Sequence, residues 1–264
     1  MLKYISNKPL ISIHIPKTAG TSFEKVLNKW FNRKDFININ NHPRLYKYLT
    51  PLNLDFFYQK LTGCGLYYHY RNELFNKMPR KVSLGKKYGL IKRKNQPECV
   101  HGHFDPDTDG GNLFHYYPEA SQFITFLRDP LELQLSLYFY NRKRISAKDM
   151  YWNGKKVETI EFDGDIDRWV EERASYMLRF LPFDLNSKNF KEKLNDYFVH
   201  IGVTENMQKS VDIMANKLGF EKVLLSKENA TERTLRPSES SVKIFKEKHK
   251  LEYLIYEYAK SLNI

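Results

Sequence analysis

Between Leu10 and Phe31 the chain changes its apolar period almost without a gap. Leu10 to Ile15 is a short β-branched run, and from Thr21 the residues Phe23, Val26, Leu27, Trp30 and Phe31 recur at helical spacing. Only Pro16-Lys17-Thr18-Ala19-Gly20 separates the two patterns. The protein therefore opens strand, tight loop, helix, the beginning of an α/β arrangement.

The rest of the sequence continues that alternation. Glu98 to Phe104 reads as a second strand ending in His-Gly-His, and Gln122 to Leu127 is apolar enough for a buried parallel strand. Arg128-Asp129-Pro130 ends it, Pro130 suits the first turn of a helix, and Leu131 to Tyr140 continues helically. Further on, the pattern predicts an amphipathic helix over Asp165 to Leu181 and a segment from Phe190 leading into a strand over Phe198 to Val203. A helix over Glu205 to Leu218 follows, closed by Gly219. A short strand at Val223 to Leu225, a loop over Ser226 to Pro237 and one long helix from Ser240 to Leu262 complete it. Strands that alternate with helices imply a parallel sheet covered on both faces. No internal repeat or Gly/Ser linker divides residues 1–264, so one domain is expected. It carries two insertions at about 33–97 and 142–180, where acceptor specificity is expected to lie.

Composition narrows the partners. Lys plus Arg is 43 against 31 acidic residues, a formal net charge of +12, which attracts anions such as nucleic acid, acidic lipid, acidic polysaccharide or a polyphosphate cofactor. The basic run between Arg80 and Lys94 reads as a solvated face or a substrate-facing one. Aromatic residues are plentiful, 18 Tyr and 18 Phe, which serves packing first. Cys64 and Cys99 make neither a metal motif nor a disulfide framework. No run of ~18 apolar residues exists, so no membrane span is expected. With no signal-peptide pattern at the start, the expected compartment is the cytoplasm. The glycosylation pattern at Asn229 is then a chance match.

A loop between a parallel strand and a helix start is a natural anion site, because unpaired backbone N–H groups and the helix dipole point there. Gly20 permits close backbone approach, Thr21 and Ser22 bring hydroxyls, and Lys17 brings a mobile positive charge. It is not a Walker loop, since Lys17 precedes Gly20 where GxxxxGK[ST] requires the Lys after its second Gly.

The segment PKTAGTSF resembles the 5′-phosphosulfate loop of sulfotransferases that use 3′-phosphoadenosine-5′-phosphosulfate (PAPS), and most of all the carbohydrate group that includes heparan sulfate 2-O-sulfotransferase and bacterial relatives. The resemblance implies a P-loop-like parallel sheet flanked by helices. It also implies PAPS as donor, adenosine 3′,5′-bisphosphate (PAP) as product, and Lys17, Thr18, Ala19, Gly20, Thr21 and Ser22 around the 5′ end of the nucleotide. Arg128 with Ser136, eight residues on, resembles the RDP…SxY pair that holds the 3′-phosphate in that family, and Tyr138 follows. Many relatives carry Arg where this chain has Leu133. Ile201 to Glu205 resembles the family's GVTE turn, with a structural role. Ser226 to Pro237 resembles a loop that closes over the nucleotide, which would bring Thr231 and Arg233 to the 3′-phosphate or ribose.

Sulfuryl transfer needs a base for the acceptor hydroxyl and a positive group for the departing phosphate. His101 and His103 flank Gly102 at a predicted strand end, where alternate residues share a side and both could face one cleft. VHGHFDP resembles the family segment that supplies the catalytic His. His103 is taken as the base, His101 as second or assisting, and Lys17 as the group at the leaving phosphate. Asp105 and Asp107 leave a metal site conceivable, but no metal is expected. The acceptor implied by the resemblance is a glycan, and the positive charge suits an acidic one. The competing readings are a P-loop-type nucleotide-dependent kinase and a non-catalytic binder of anionic polymer; nucleic acid is not the expected partner.

Overall fold

Four of the strands are buried along their whole length: β1 (Leu10–Ile13), β3 (Cys99–Gly102), β4 (Phe123–Leu127) and β7 (Phe198–Val203). Strands with both faces dry cannot sit at the surface of a two-layer protein; they require cover above and below. The computed structural model, which describes residues 1–31, 36–38, 99–104, 120–145, 151–152, 155–156, 164–225 and 235–264, supplies it. With β2 (Phe36–Asn38) these strands form a five-stranded sheet in the order β2-β3-β1-β4-β7, and every pairing is parallel. β5 (Tyr151–Trp152) and β6 (Lys155–Lys156) make a separate antiparallel pair.

Period two sorts the side chains. One face of the sheet (Leu10, Cys99, Ile124, Phe126 and Val199) packs on α1 (Gly20–Trp30) through Phe23, Val26 and Leu27. Val211, Met214 and Ala215 of a later helix, Met207–Leu218, cover the same face. The opposite face (Ile11, Ile13, Val100, Phe123, Leu127, Phe198, Ile201) packs on Phe190 and Leu194 of the helix Phe190–Tyr197 and on Ile255 and Ala259 near the C-terminus. Among the described residues the helices that follow α1 are α2 (Pro130–Ile145), α3 (Ile166–Glu172), α4 (Phe190–Tyr197), α5 (Met207–Leu218), α6 (Glu239–Lys248) and α7 (Lys250–Ser261). The expected α/β class, with a parallel sheet flanked by helices, is what the structure has. Gly219 closes α5 in the left-handed region at φ 77°, as its position in the sequence required.

Three expected elements are corrected. The amphipathic stretch Asp165 to Leu181 is not one helix. Asp165 caps α3 by accepting from the Asp167 and Arg168 N–H groups, the helix ends at Glu172, and only a 3₁₀ turn at Leu178–Phe180 follows. Val223 to Leu225 is not a strand. Among the described residues no strand lies beside it; instead the Gln208 side-chain amide donates to the Val223 carbonyl at 3.0 Å and accepts from the Leu225 N–H at 2.9 Å. The long C-terminal helix is broken at His249, whose φ and ψ of −107° and 26° leave the helical region.

That break is held by a buried carboxyl group. Glu252 is 2% exposed, and its Oε1 accepts from the Ser175 hydroxyl at 2.7 Å and the Met177 N–H at 2.8 Å, while Oε2 faces His249 Nδ1 at 3.1 Å. The other ring nitrogen of His249 lies 3.2 Å from the Arg173 carbonyl. One carboxylate thus ties the α6–α7 kink to the irregular segment after α3. A second buried network lies at a β-bulge, where the β4–β7 register shifts between Phe123 and Ile124. His200 there meets Asn263 at 3.0 Å and the Lys217 ammonium at 3.4 Å. Burial, then the Lys217 charge, lower its pKa to about 4 although Asn263 opposes the shift.

Replacing Glu252→Ala leaves His249 and the Met177 N–H buried without their partner. Removing one member of a buried pair costs about 3–5 kcal/mol, so a urea unfolding curve of that variant is expected to show a loss of this size.

Candidate active site at the carboxyl edge of the sheet

The sheet order places β1 between β3 and β4, so the chain leaves β1 toward one edge and later crosses to the other side. Ligands in open parallel sheets bind in the crevice beyond the carboxyl ends at such a switch point. Three segments singled out in the sequence end there: the loop after β1, His101 to His103 at the end of β3, and Arg128 after β4.

The loop is built by backbone strain and relieved by specific bonds. Lys17 and Ala19 hold φ of 70° and 59°, the left-handed region that costs a non-glycine residue roughly 1–2 kcal/mol. Thr18 between them does not, so two left-handed residues flank an ordinary one within three positions. Arg128 offsets part of the strain, because its Nη1 donates to the Lys17 carbonyl at 3.0 Å. A hydrogen bond from a charged donor is worth about 1.5–3 kcal/mol. The Thr18 hydroxyl donates inward to the Ile15 carbonyl at 2.8 Å, and its N–H points to the same oxygen at 3.3 Å. Thr18 therefore staples the loop and does not present its hydroxyl to a ligand.

At α1 the cap residue is Ala19, which has no side-chain oxygen to satisfy the first-turn N–H groups, and no acidic residue stands in that turn. The positive end of the helix is left uncompensated. Thr21 is exposed and Ser22 half-exposed. The Lys17 ammonium lies 4.2 Å from the centre of the Tyr140 ring on α2. Burial, and secondarily the Arg128 charge, lower its pKa. Ser136 is half-exposed on α2, one turn before Tyr140 and so on the same helix face.

Asp129 does not act as a helix-start partner of Arg128 alone. Its Oδ1 accepts from the Glu132 N–H, which caps α2, while its own N–H donates to Glu205 Oε1 at 2.9 Å. The Thr204 hydroxyl donates to the Leu127 carbonyl at 2.9 Å. The Thr204–Glu205 pair thus fixes the end of β4 from β7, and the direction of Arg128 with it. Tyr138 donates to the Gly164 carbonyl at 2.6 Å and, like Leu133, is core.

The histidines divide differently from the expectation that both face one cleft. His101 is 1% exposed on the α1 face, with Nδ1 2.9 Å from the Ser12 hydroxyl. Its Nε2 is buried without a hydrogen-bond partner. Burial, then the neighbouring His103, push its pKa down to about 3. Burial thus favours the neutral imidazole at this position. His103 lies past the last paired residue of β3, so strand alternation no longer governs it. Its ring stacks on that of His14 at 4.3 Å, lies 6.1 Å from that of Phe180, and remains partly exposed. Its Nδ1 is 2.6 Å from the His14 carbonyl, which can only accept, so Nδ1 carries the proton and Nε2 is the basic nitrogen.

His14 is the residue that sequence reasoning passed over. It stacks on His101 at 5.1 Å and on His103 at 4.3 Å. Burial first, then His103 and His101, hold its pKa well below the ordinary imidazole value. Its place in a β-branched strand run gave no signal; only the HxH two strand-residues from its pairing partners, seen in register, could have shown it.

The late loop is partly outside the described residues, including Thr231 and Arg233. So are Asp105 and Asp107. Its approach is seen: Val223 to Leu225 shares a shallow groove with Ser22, Lys25 and Lys29 of α1. Among the described residues no group of three or more His, Cys, Asp or Glu side chains could hold a metal ion, and no helix is long and apolar enough to cross a membrane. Compared with known proteins, the chain matches no family model, and no curated protein matches it.

Two measurements probe this arrangement. Thr18→Val keeps the shape but removes the hydroxyl that satisfies Ile15; a destabilisation of about 1–3 kcal/mol is expected on thermal or urea unfolding, with the exposed hydroxyls of Thr21 and Ser22 untouched. His101 and His200 stay neutral when folded down to about 3 and about 4, while the unfolded chain takes up both protons near 6.5. The unfolded state therefore binds more protons below 6.5, and stability falls as pH drops from there toward 4. Each residue adds up to about 1.4 kcal/mol per pH unit, so the urea midpoint at pH 5 should lie clearly below that at pH 7.

Proposed function

We propose that this chain is a cytoplasmic PAPS-dependent sulfotransferase with a P-loop-like sulfotransferase fold, which moves the sulfuryl group of PAPS to a hydroxyl of a glycan. The observation that carries this reading is the meeting of two anion-binding segments at one sheet edge. The strained loop from Lys17 to Ser22, with its uncapped helix start, is joined to Arg128 by the 3.0 Å bond to the Lys17 carbonyl. A single phosphate needs one such segment; a nucleotide with phosphates at both ends of its ribose uses two.

The roles follow from position. The α1 N–H groups with Thr21 and Ser22 hold the 5′-phosphosulfate end. Arg128, one of whose five donors goes to the Lys17 carbonyl, and Ser136 on the facing side of α2 take the 3′-phosphate. The acceptor oxygen attacks sulfur in line while its proton passes to His103 Nε2. The bond between sulfur and the bridging phosphate oxygen breaks, and the charge gathering on that oxygen is met by Lys17 and the helix start. Lys17 rests over Tyr140, within a side chain's swing of that position. Thr231 and Arg233 add to the 3′ side, and the net positive charge favours an acidic glycan.

The test is a pair of measurements on wild type and His103→Ala. PAP at millimolar concentration should raise the melting temperature of both proteins alike, since binding to the folded state alone stabilises it. Transfer from labelled PAPS to a glycan panel, read by mass spectrometry, should fall ~10²–10⁴-fold in the variant. No thermal shift with PAP in the wild type would sink the donor assignment. Shifts without transfer by either protein would favour a non-catalytic anion binder.

A further inference from the structure

The reading above leaves unexplained why an imidazole stands at position 14, inside an otherwise aliphatic strand end. Its surroundings answer. A Cβ placed on Gly20 would fall 1.7 Å from His14 Nε2 and 2.2 Å from its Cε1, so the ring fills the space that any other residue at position 20 would occupy. The ring is pressed against the first residue of α1, where the helix presents its open N–H groups. Its other face stacks on His103 at 4.3 Å with the planes 29° apart, and the carbonyl of the same residue fixes the His103 proton on Nδ1. The His14 N–H donates to the Gly102 carbonyl at 2.8 Å, which extends the β1–β3 ladder by one bond and holds the residue rigidly between the two. Beyond it the column ends on His101, locked in turn by Ser12. One ring therefore touches both the backbone of the anion loop and the imidazole of the base, and a side chain with contacts this close transmits displacement.

We propose that His14 is a positioning residue whose ring sets His103 against the start of α1, so that a shift of the loop backbone at Gly20 is felt at the base. The functional meaning of that coupling rests on His103 being the base; the coupling itself does not. His14 makes no contact with substrate in this role. It acts through His103, and a misplacement of a reacting group by about 1 Å costs ~10²-fold in rate.

Two substitutions at opposite ends of the contact test it. Histidine ring nitrogens in the full chain are followed by long-range proton–nitrogen NMR, which distinguishes the two neutral tautomers. In the wild type, His103 should appear as the Nδ1–H form. Gly20→Ala, which drives the His14 ring aside, is expected to shift the His103 nitrogen signals and mix its tautomers. In a His14→Ala background the same Gly20→Ala change should leave His103 where it was, because the connecting ring is gone. Equal His103 shifts in both backgrounds, or none in either, would overturn the proposal. Should His14→Ala lose its cooperative unfolding, His14→Gln, which fills part of the space without a ring, takes its place with the same expectations. Kinetics add an independent arm: His14→Ala should lower kcat ~10²-fold while PAP binds as in the wild type. Unchanged kcat would defeat the proposal. A wild type that transfers no sulfuryl group at all defeats the functional reading instead, and the NMR comparison still decides the coupling.

Discussion

A strand of four residues that pairs in parallel on both edges, with apolar helices on both faces, has no register but one. A slip of one residue in β1 would turn Ile11 and Ile13 from the α4 and α7 side to the α1 side and leave Ser12 among them. That constraint fixes where β1 stops, and so where the chain must begin to turn. The loop to α1, the end of β3 and the end of β4 are then brought to one edge with no further choice.

What happens at that edge is a balance of costs at single residues. Two left-handed residues and an uncapped helix start are unfavourable, and His101 keeps a buried nitrogen without a partner. Against these stand the Arg128 bond to Lys17, the Thr18 staple on Ile15, and the clamp of Thr204 and Glu205 on the end of β4. The unfavourable features cluster where a ligand would meet the protein, and their compensations lie one layer behind. The edge thus carries local costs that the layer behind it offsets.

The fold was legible where a pattern depended on local chemistry. The β-branched runs of β1, β4 and β7, the Gly219 cap and the loop at Lys17 to Gly20 announce themselves within a few residues. Legibility failed where a distant group overrode the local preference. The period over Ser240 to Leu262 is helical throughout, and only Glu252, bound by Ser175 and Met177, explains the break at His249. Val223 to Leu225 has strand composition, yet its carbonyl and N–H groups go to the Gln208 side chain. In the site, loop and Arg128 were readable because their residue types are unusual together. Thr18 was read as a ligand because a hydroxyl in sequence does not reveal the direction it points. His101 and His103 look equivalent by spacing; only their surroundings tell them apart, His101 buried on the Ser12 hydroxyl and His103 partly exposed on the His14 carbonyl. His14 needed three dimensions, since its importance lies in what Gly20 lacks.

The tie between Gln208 and the segment from Val223 to Leu225 has a kinetic side. Strand neighbours in the central sheet share a ladder of bonds, whereas the Val223 carbonyl and the Leu225 N–H are both held by one amide of one side chain, with Leu224 between them 89% exposed. A single rotamer change of Gln208 frees both backbone groups at once. The amide of Leu225 therefore exchanges its hydrogen through a local opening that the core never notices, on a clock set by one side chain. The wall of the groove beside Ser22 keeps that faster time, next to a sheet that keeps the slowest in the protein.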